Sequence, residues 1–199
     1  MIFVGIVFFV AGCSKSSKPR QYRVNDITDS PGTNLGSIYD VNVTFDNQNG
    51  ERVPWQSLRG KIRVMAMIFT HCPAACPVIT QQIKAVESLI PPAAREQVGY
   101  TLISFDSKRD TAAQLKDYYA MQRLDSNWQL LHGAPYDIQT IAALLNVQYK
   151  EWPGGDFTHA NVIFVIDPQG HIALREEGLN SKNPSIIAHA VARLSQSSS

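Results

Sequence analysis

The sequence has almost no net charge, only three cysteines and no apolar run long enough to cross a membrane as a helix. Its 18 basic and 17 acidic residues leave a formal charge of +1 with no basic stripe, which excludes the electrostatic footprint of a nucleic-acid-binding protein. Three cysteines in 199 residues are too few for a small disulfide scaffold. The one strongly apolar stretch, Ile2 to Val10, falls well short of the roughly 20 residues that a spanning helix needs. Charged residues are sparse at 18 %, whereas hydrophobic residues reach 44 %, so the chain can bury a sizeable core and is not intrinsically disordered. Its length suits one domain plus a short extension.

The apolar stretch ends in Val10-Ala11-Gly12-Cys13 and gives way at once to polar Ser14-Lys-Ser-Ser-Lys18. An apolar run that closes on small residues reads as an export signal, although no Lys or Arg precedes it. Its end resembles the bacterial lipobox, which implies a lipidated Cys13 as the mature N-terminus. The expected organisation is a signal peptide over 1–12, a flexible lipid-anchored tether over 13–37, a folded domain over 38–195 and a polar tail over 196–199. Such a protein is attached to the bacterial cell membrane and faces the periplasm or the cell exterior, where thiols can be oxidised.

Strand and helix patterns alternate through the body. Tyr39 to Phe45 alternates like a strand, and Asn47 to Gly50 supplies a turn to a returning strand over Arg52–Trp55. Ile62 to Phe69 and Val98 to Phe105 are nearly continuous apolar runs, as in strands buried on both faces. Between them Ile79, Ile83, Val86 and Ile90 mark a helix stripe. Asp110 is a candidate N-cap for a helix carrying Leu115, Tyr118 and Leu124. A short strand over Trp128–Leu131 precedes a helix opened by Pro135. Asn161–Ile166 and His171–Arg175 form a hairpin, and Pro184 opens a last helix. The pattern predicts an α/β domain with a central sheet flanked by helices and an N-terminal β-hairpin.

Two cysteines carry the chemistry. Cys72 and Cys76 stand in Phe69-Thr-His-Cys-Pro-Ala-Ala-Cys-Pro77, where a buried strand hands over to a helix. If the helix has begun by Pro73, spacing by four places both thiols on one face, with alpha-carbons about 6 Å apart. That separation permits a reversible disulfide or chelation of a metal by two thiolates. Spacing excludes several familiar sites. Pro77, not His, follows the second cysteine, so this is no c-type haem motif. No second Cys or His pair completes a structural zinc site. Three residues separate the cysteines, where the thioredoxin motif has two.

Taken together, Gly60-Lys61, the apolar strand, the Cys-Pro-Ala-Ala-Cys-Pro segment, Ser104-Phe-Asp-Ser-Lys-Arg-Asp-Thr111, and His159 before Asn161-Val-Ile-Phe-Val-Ile-Asp-Pro-Gln-Gly170 resemble the Sco/SenC family in order and spacing. Ala74 stands where that family's motif usually carries Asp. The resemblance implies a thioredoxin-like fold and copper, as Cu(I) or Cu(II), held by Cys72, Cys76 and His159. It implies a role in cytochrome c oxidase assembly, with oxidase subunit II or a similar copper protein as partner. Two thiolates and an imidazole are soft to borderline donors that select Cu(I) over hard cations. Asp106, at the end of the second buried strand, is a candidate supporting group for the site or the cap of a turn. Trp152-Pro-Gly-Gly155 reads as a loop beside it. A metallochaperone, a thiol-disulfide reductase using Cys72 and Cys76 without metal, and a redox or copper sensor are all consistent with these residues.

Overall fold

A computed structural model describes residues 36–197. The signal peptide, Cys13 and nearly all of the tether lie outside the described residues.

Nine strands and four helices form the described chain. They are β1 (Thr44–Asn47), β2 (Arg52–Pro54), β3 (Ile62–Ile68), α1 (Ala75–Leu89), β4 (Val98–Ser104), α2 (Ala112–Met121), β5 (Trp128–His132), α3 (Pro135–Leu144), β6 (Tyr149–Glu151), β7 (Phe157–His159), β8 (Val162–Ile166), β9 (Ile172–Glu177) and α4 (Asn183–Ser197). Seven of the strands build one sheet in the order β2-β1-β5-β4-β3-β8-β9, and β6 and β7 form a separate ribbon. The three central strands, β5, β4 and β3, run parallel. β1 and β8 join them antiparallel on either side.

Central β3 and β4 are buried along their length apart from Arg63, which explains their unbroken apolar sequence. α1 turns Ile79, Ile83 and Val86 inward, packs on β3 and lies against α4. Each such isoleucine contributes roughly 1.5–3 kcal/mol by burial. No helix among the described residues is long and apolar enough to cross a membrane.

Register positions the site. β3 and β4 pair in parallel from Ile62↔Val98 to Ile68↔Ser104, so both end at the same level and their exit segments run side by side. β8 runs the other way beside β3, with Ala66 opposite Ile163. The start of β8 therefore lies at the rim where β3 ends.

Two local expectations change. The strand expected from Tyr39 begins only at Thr44, because Ile38–Asp40 forms a 3₁₀ turn whose Tyr39 N–H is capped by Ser37 Oγ. The alternation there still marks burial: Tyr39, Val43 and Phe45 are all in the core. Asp110 does not cap α2; Thr111 does, its hydroxyl accepting from the Gln114 N–H, while Asp110 turns into the interior. The loop expected at Trp152-Pro-Gly-Gly155 is present, as the tip of the β6–β7 ribbon.

Candidate metal centre

Helix α1 begins at Ala75, so Cys76 sits in its first turn and Cys72 precedes it. The later start lies at Ala74, whose backbone (φ −131°, ψ −73°) is outside the helical region. Pro77 is tolerated because first-turn N–H groups have no helical partner. Ala74 offers no side-chain cap, and the Cys76 N–H, which has no partner within the helix, donates instead to Cys72 Sγ at 3.4 Å. The Phe69 N–H donates to Cys76 Sγ at 3.5 Å. The Phe69 N–H bond favours thiolate charge on Cys76. Burial works against this at Cys76, which is fully inaccessible, and pushes its thiol pKa well up from the ordinary cysteine range. A metal bound there has to displace a proton.

His159 ends β7. Its Nδ1 lies 3.2 Å from the Ala160 carbonyl oxygen, a pure acceptor, so this contact puts the ring proton on Nδ1. Nε2 is then left with a lone pair, 3.8 Å from Cys76 Sγ. The ligand atoms of Cys72, Cys76 and His159 all lie within 4.8 Å of one another. Both cysteines are free thiols. Cys72 and His159 are partly exposed and Cys76 is buried, giving a site with one closed and one open side.

An aromatic wall holds the imidazole. Its ring meets Phe69 edge-on at 6.1 Å and lies 5.0 Å from Phe105. Phe157 packs on both phenylalanines at 5.1 and 5.0 Å, and Tyr149 stacks on Phe105 at 5.1 Å. A cleft of about 390 Å³ opens beside His159 between Tyr149, Lys150, Thr158 and Ala160. The apolar character of Phe69 and Phe105 was legible as strand ends. That they meet Tyr149 and Phe157 was not, because nothing local marks the short ribbon strands.

Asp106, Asp110 and His71 form a second cluster, with ligand atoms also within 4.8 Å of one another. Their oxygens are already engaged. Asp110 accepts from the Thr70 N–H at 2.9 Å, the Thr70 hydroxyl at 2.5 Å and the Ser104 hydroxyl at 2.6 Å. It ties the segment leading to Cys72 to the end of β4, a role that no sequence signal announced. Asp106 accepts from the N–H groups of Lys108 and Arg109 and pairs with the Arg109 guanidinium, so it caps a turn and has no direct bond to the thiols or to His159. His71 turns toward Thr70 and Asp110. Trp152 is half exposed at the ribbon tip, its Nε1–H donating to Thr158 Oγ1 at 2.6 Å.

A parallel-centred sheet flanked by helices, with two thiols at the strand-to-helix junction and an imidazole brought to them from a later strand, defines a thioredoxin-like protein whose centre suits a soft metal or thiol exchange. The SCO1/SenC family model matches residues 33–196, and the chain belongs to that family. Among solved structures, the copper-bound ScoI of Bradyrhizobium japonicum is 28 % identical with a TM-score of 0.66, covering 76 % of this chain and 96 % of that one. A SCO1/SenC family lipoprotein from Bacillus anthracis is 25 % identical with a TM-score of 0.69, covering 77 % and 93 % respectively. BsSco, described as a cytochrome c oxidase assembly protein with a disulfide switch, is 25 % identical with a TM-score of 0.70 and coverages of 81 % and 95 %.

Proposed function

We propose that this protein binds copper through Cys72 Sγ, Cys76 Sγ and His159 Nε2 and delivers it during assembly of cytochrome c oxidase, to the dinuclear copper centre of subunit II. The observation that carries the reading is the convergence of two sulfurs and one imidazole nitrogen within 4.8 Å at an open rim. This donor set fits copper, since thiolate and imidazole favour Cu(I). Three protein donors leave room for a ligand from a recipient, as a carrier requires. Membership of the SCO1/SenC family and the likeness to a copper-bound ScoI point the same way.

The residues divide the work. Cys76, buried in the first turn of α1, anchors the site, and its proton leaves on binding. Cys72 and His159, at the accessible side, are the donors a recipient can displace. Titration of the reduced protein with Cu(I) should show one tight site whose apparent affinity rises with pH, about tenfold per pH unit for each proton displaced. The oxidised protein, with Cys72 and Cys76 joined, should bind far more weakly because only thiolates ligate. Equal affinity in the two redox states would show that the ligands have been misassigned.

A second reading is favoured by the unequal burial of the thiols. Cys72 is accessible enough to attack a disulfide in a target, and buried Cys76 is placed to resolve the product. Thiolate Cys72 displaces one target sulfur to form a mixed disulfide. Cys76, losing its proton, then attacks Cys72 Sγ and releases the second target thiolate. The target gains two electrons, and the Cys72–Cys76 disulfide holds the oxidised equivalent.

Either role suits a domain outside the cytoplasm, and the proposal includes lipidation of Cys13 and loss of residues 1–12. Mass spectrometry of the membrane-extracted protein should find a diacylglyceryl group on Cys13, whose two acyl chains give durable attachment. Recovery of an unmodified Met1, or membrane attachment unchanged by Cys13→Ala, would refute this.

A further inference from the structure

The segment Ser104–Thr111 supplies no donor to the proposed centre, yet it carries two almost inaccessible carboxylates, Asp106 and Asp110. Hydroxyls and an N–H from Thr70 and Ser104 engage Asp110. Asp106 instead reaches outward through Arg109. The Arg109 Nε–H donates to Asp106 Oδ2, and its Nη2 donates to the Gly155 carbonyl at the tip of the β6–β7 ribbon. Between these ends the guanidinium lies over Phe69 at 6.0 Å and Phe157 at 5.9 Å. Gly155 is shaped to the contact: its φ is +85°, and a Cβ there would come within 2.7 Å of Arg109 Nη1.

The ribbon needs such support. It has only three residue pairs, and its last residue is His159. A lone two-stranded ribbon is marginally stable in water. Its other ties include the packing of Tyr149, Phe157 and His159 against Phe69 and Phe105 and an exposed Lys108–Glu151 pair, and exposed pairs contribute little. Arg109 is different because its partner carboxylate is buried and its planar fork serves two acceptors at once.

We infer that Arg109, braced by Asp106, is a positioning residue: it latches the ribbon to the end of β4 and thereby sets where His159 Nε2 stands relative to the two sulfurs. The consequence for copper rests on the function proposed above, whereas the latch does not. With the latch broken, the ribbon opens more often and the imidazole is lost as a third donor for part of the time. The thiol pair, carried by β3 and α1, is untouched.

The test measures hydrogen exchange of the 149–159 amides in reduced, metal-free full-length protein, and Cu(I) affinity by competition, for Arg109→Gln, Arg109→Lys and Gly155→Ala. Arg109→Gln and Gly155→Ala should speed exchange of the ribbon amides roughly tenfold or more while leaving β3 and β4 protected. Arg109→Lys, able to serve one acceptor, should fall between. Copper affinity should drop several-fold in Arg109→Gln. In a His159→Ala background the same change should shift affinity by less than about twofold, because the donor it positions is gone. Unchanged ribbon exchange in both Arg109→Gln and Gly155→Ala overturns the latch, whatever happens to copper. An affinity loss that persists undiminished in the His159→Ala background overturns the positioning role. If His159→Ala alone left copper binding intact, the copper-site reading would fail, and ribbon exchange would still decide the latch. Should Arg109→Gln fail to fold because Asp106 is left buried and unpaired, the double variant Arg109→Gln/Asp106→Asn removes both charges and takes its place.

Discussion

Replacing Cys72 by serine should abolish tight Cu(I) binding, with a loss of at least about a thousandfold, or about 4 kcal/mol. Serine keeps the size of the side chain and can still accept the Cys76 N–H that Cys72 Sγ now receives. It does not keep the soft donor, since a hydroxyl is a hard, neutral ligand at physiological pH. Disulfide formation with Cys76 is lost at the same time. Cys72 precedes α1 and is partly exposed, so the fold should survive, and thermal unfolding of the variant checks this. Cys76→Ser should cost copper as much but is the less clean change, because that side chain is fully buried and accepts the Phe69 N–H. Competition titration with a Cu(I) chelator reads both variants. A Cys72→Ser protein that held Cu(I) within tenfold of the parent would rule out a two-thiolate site.

His159→Ala should weaken Cu(I) binding by more than tenfold, about 1.4 kcal/mol or more, by removing one of three donors. Formation of the Cys72–Cys76 disulfide should be nearly unchanged, because two thiols need no imidazole to pair. The ring also fills space against Phe69 and Phe105, so His159→Phe serves as a packing control that lacks the nitrogen and should lose the same affinity. In cells, cytochrome c oxidase activity is followed with the level of the variant protein checked by blot. Lost activity that added copper restores supports delivery, since mass action compensates for a weakened site. Normal oxidase activity despite lost copper affinity would remove the delivery role and leave the thiol-disulfide reductase.

Much of the fold was legible because buried strands and amphipathic helices write their environment into local composition. The continuous apolar runs at Ile62–Ile68 and Val98–Ser104 are central strands, and Ile79, Ile83 and Val86 face the core. The N-terminal and Val162–Glu177 hairpins are also where turn residues placed them. Local preference misled where a partner distant in sequence won. Asp110 has the composition of a helix cap, yet a buried acceptor was needed between Thr70 and Ser104, and Thr111 could cap in its place. Trp152-Pro-Gly-Gly155 is the loop its composition indicates, whereas the ribbon it joins was not legible, because the strands on either side are too short and too exposed to show a period of two.

The thiol pair is a local matter. Four residues across a strand-to-helix junction keep two sulfurs near one another, so Cys72 and Cys76 were legible as a candidate pair from local sequence, and their ligand atoms do lie within 4.8 Å of one another. His159 was different: from its own surroundings it was an ordinary histidine before an apolar strand. It stands 83 residues from Cys76, and only the tertiary structure brings Nε2 within 3.8 Å of the sulfur. The physical reason is register. Because β8 pairs antiparallel with β3, the residues that precede β8 lie where β3 ends, and a shift of that pairing would carry the imidazole away from the thiols.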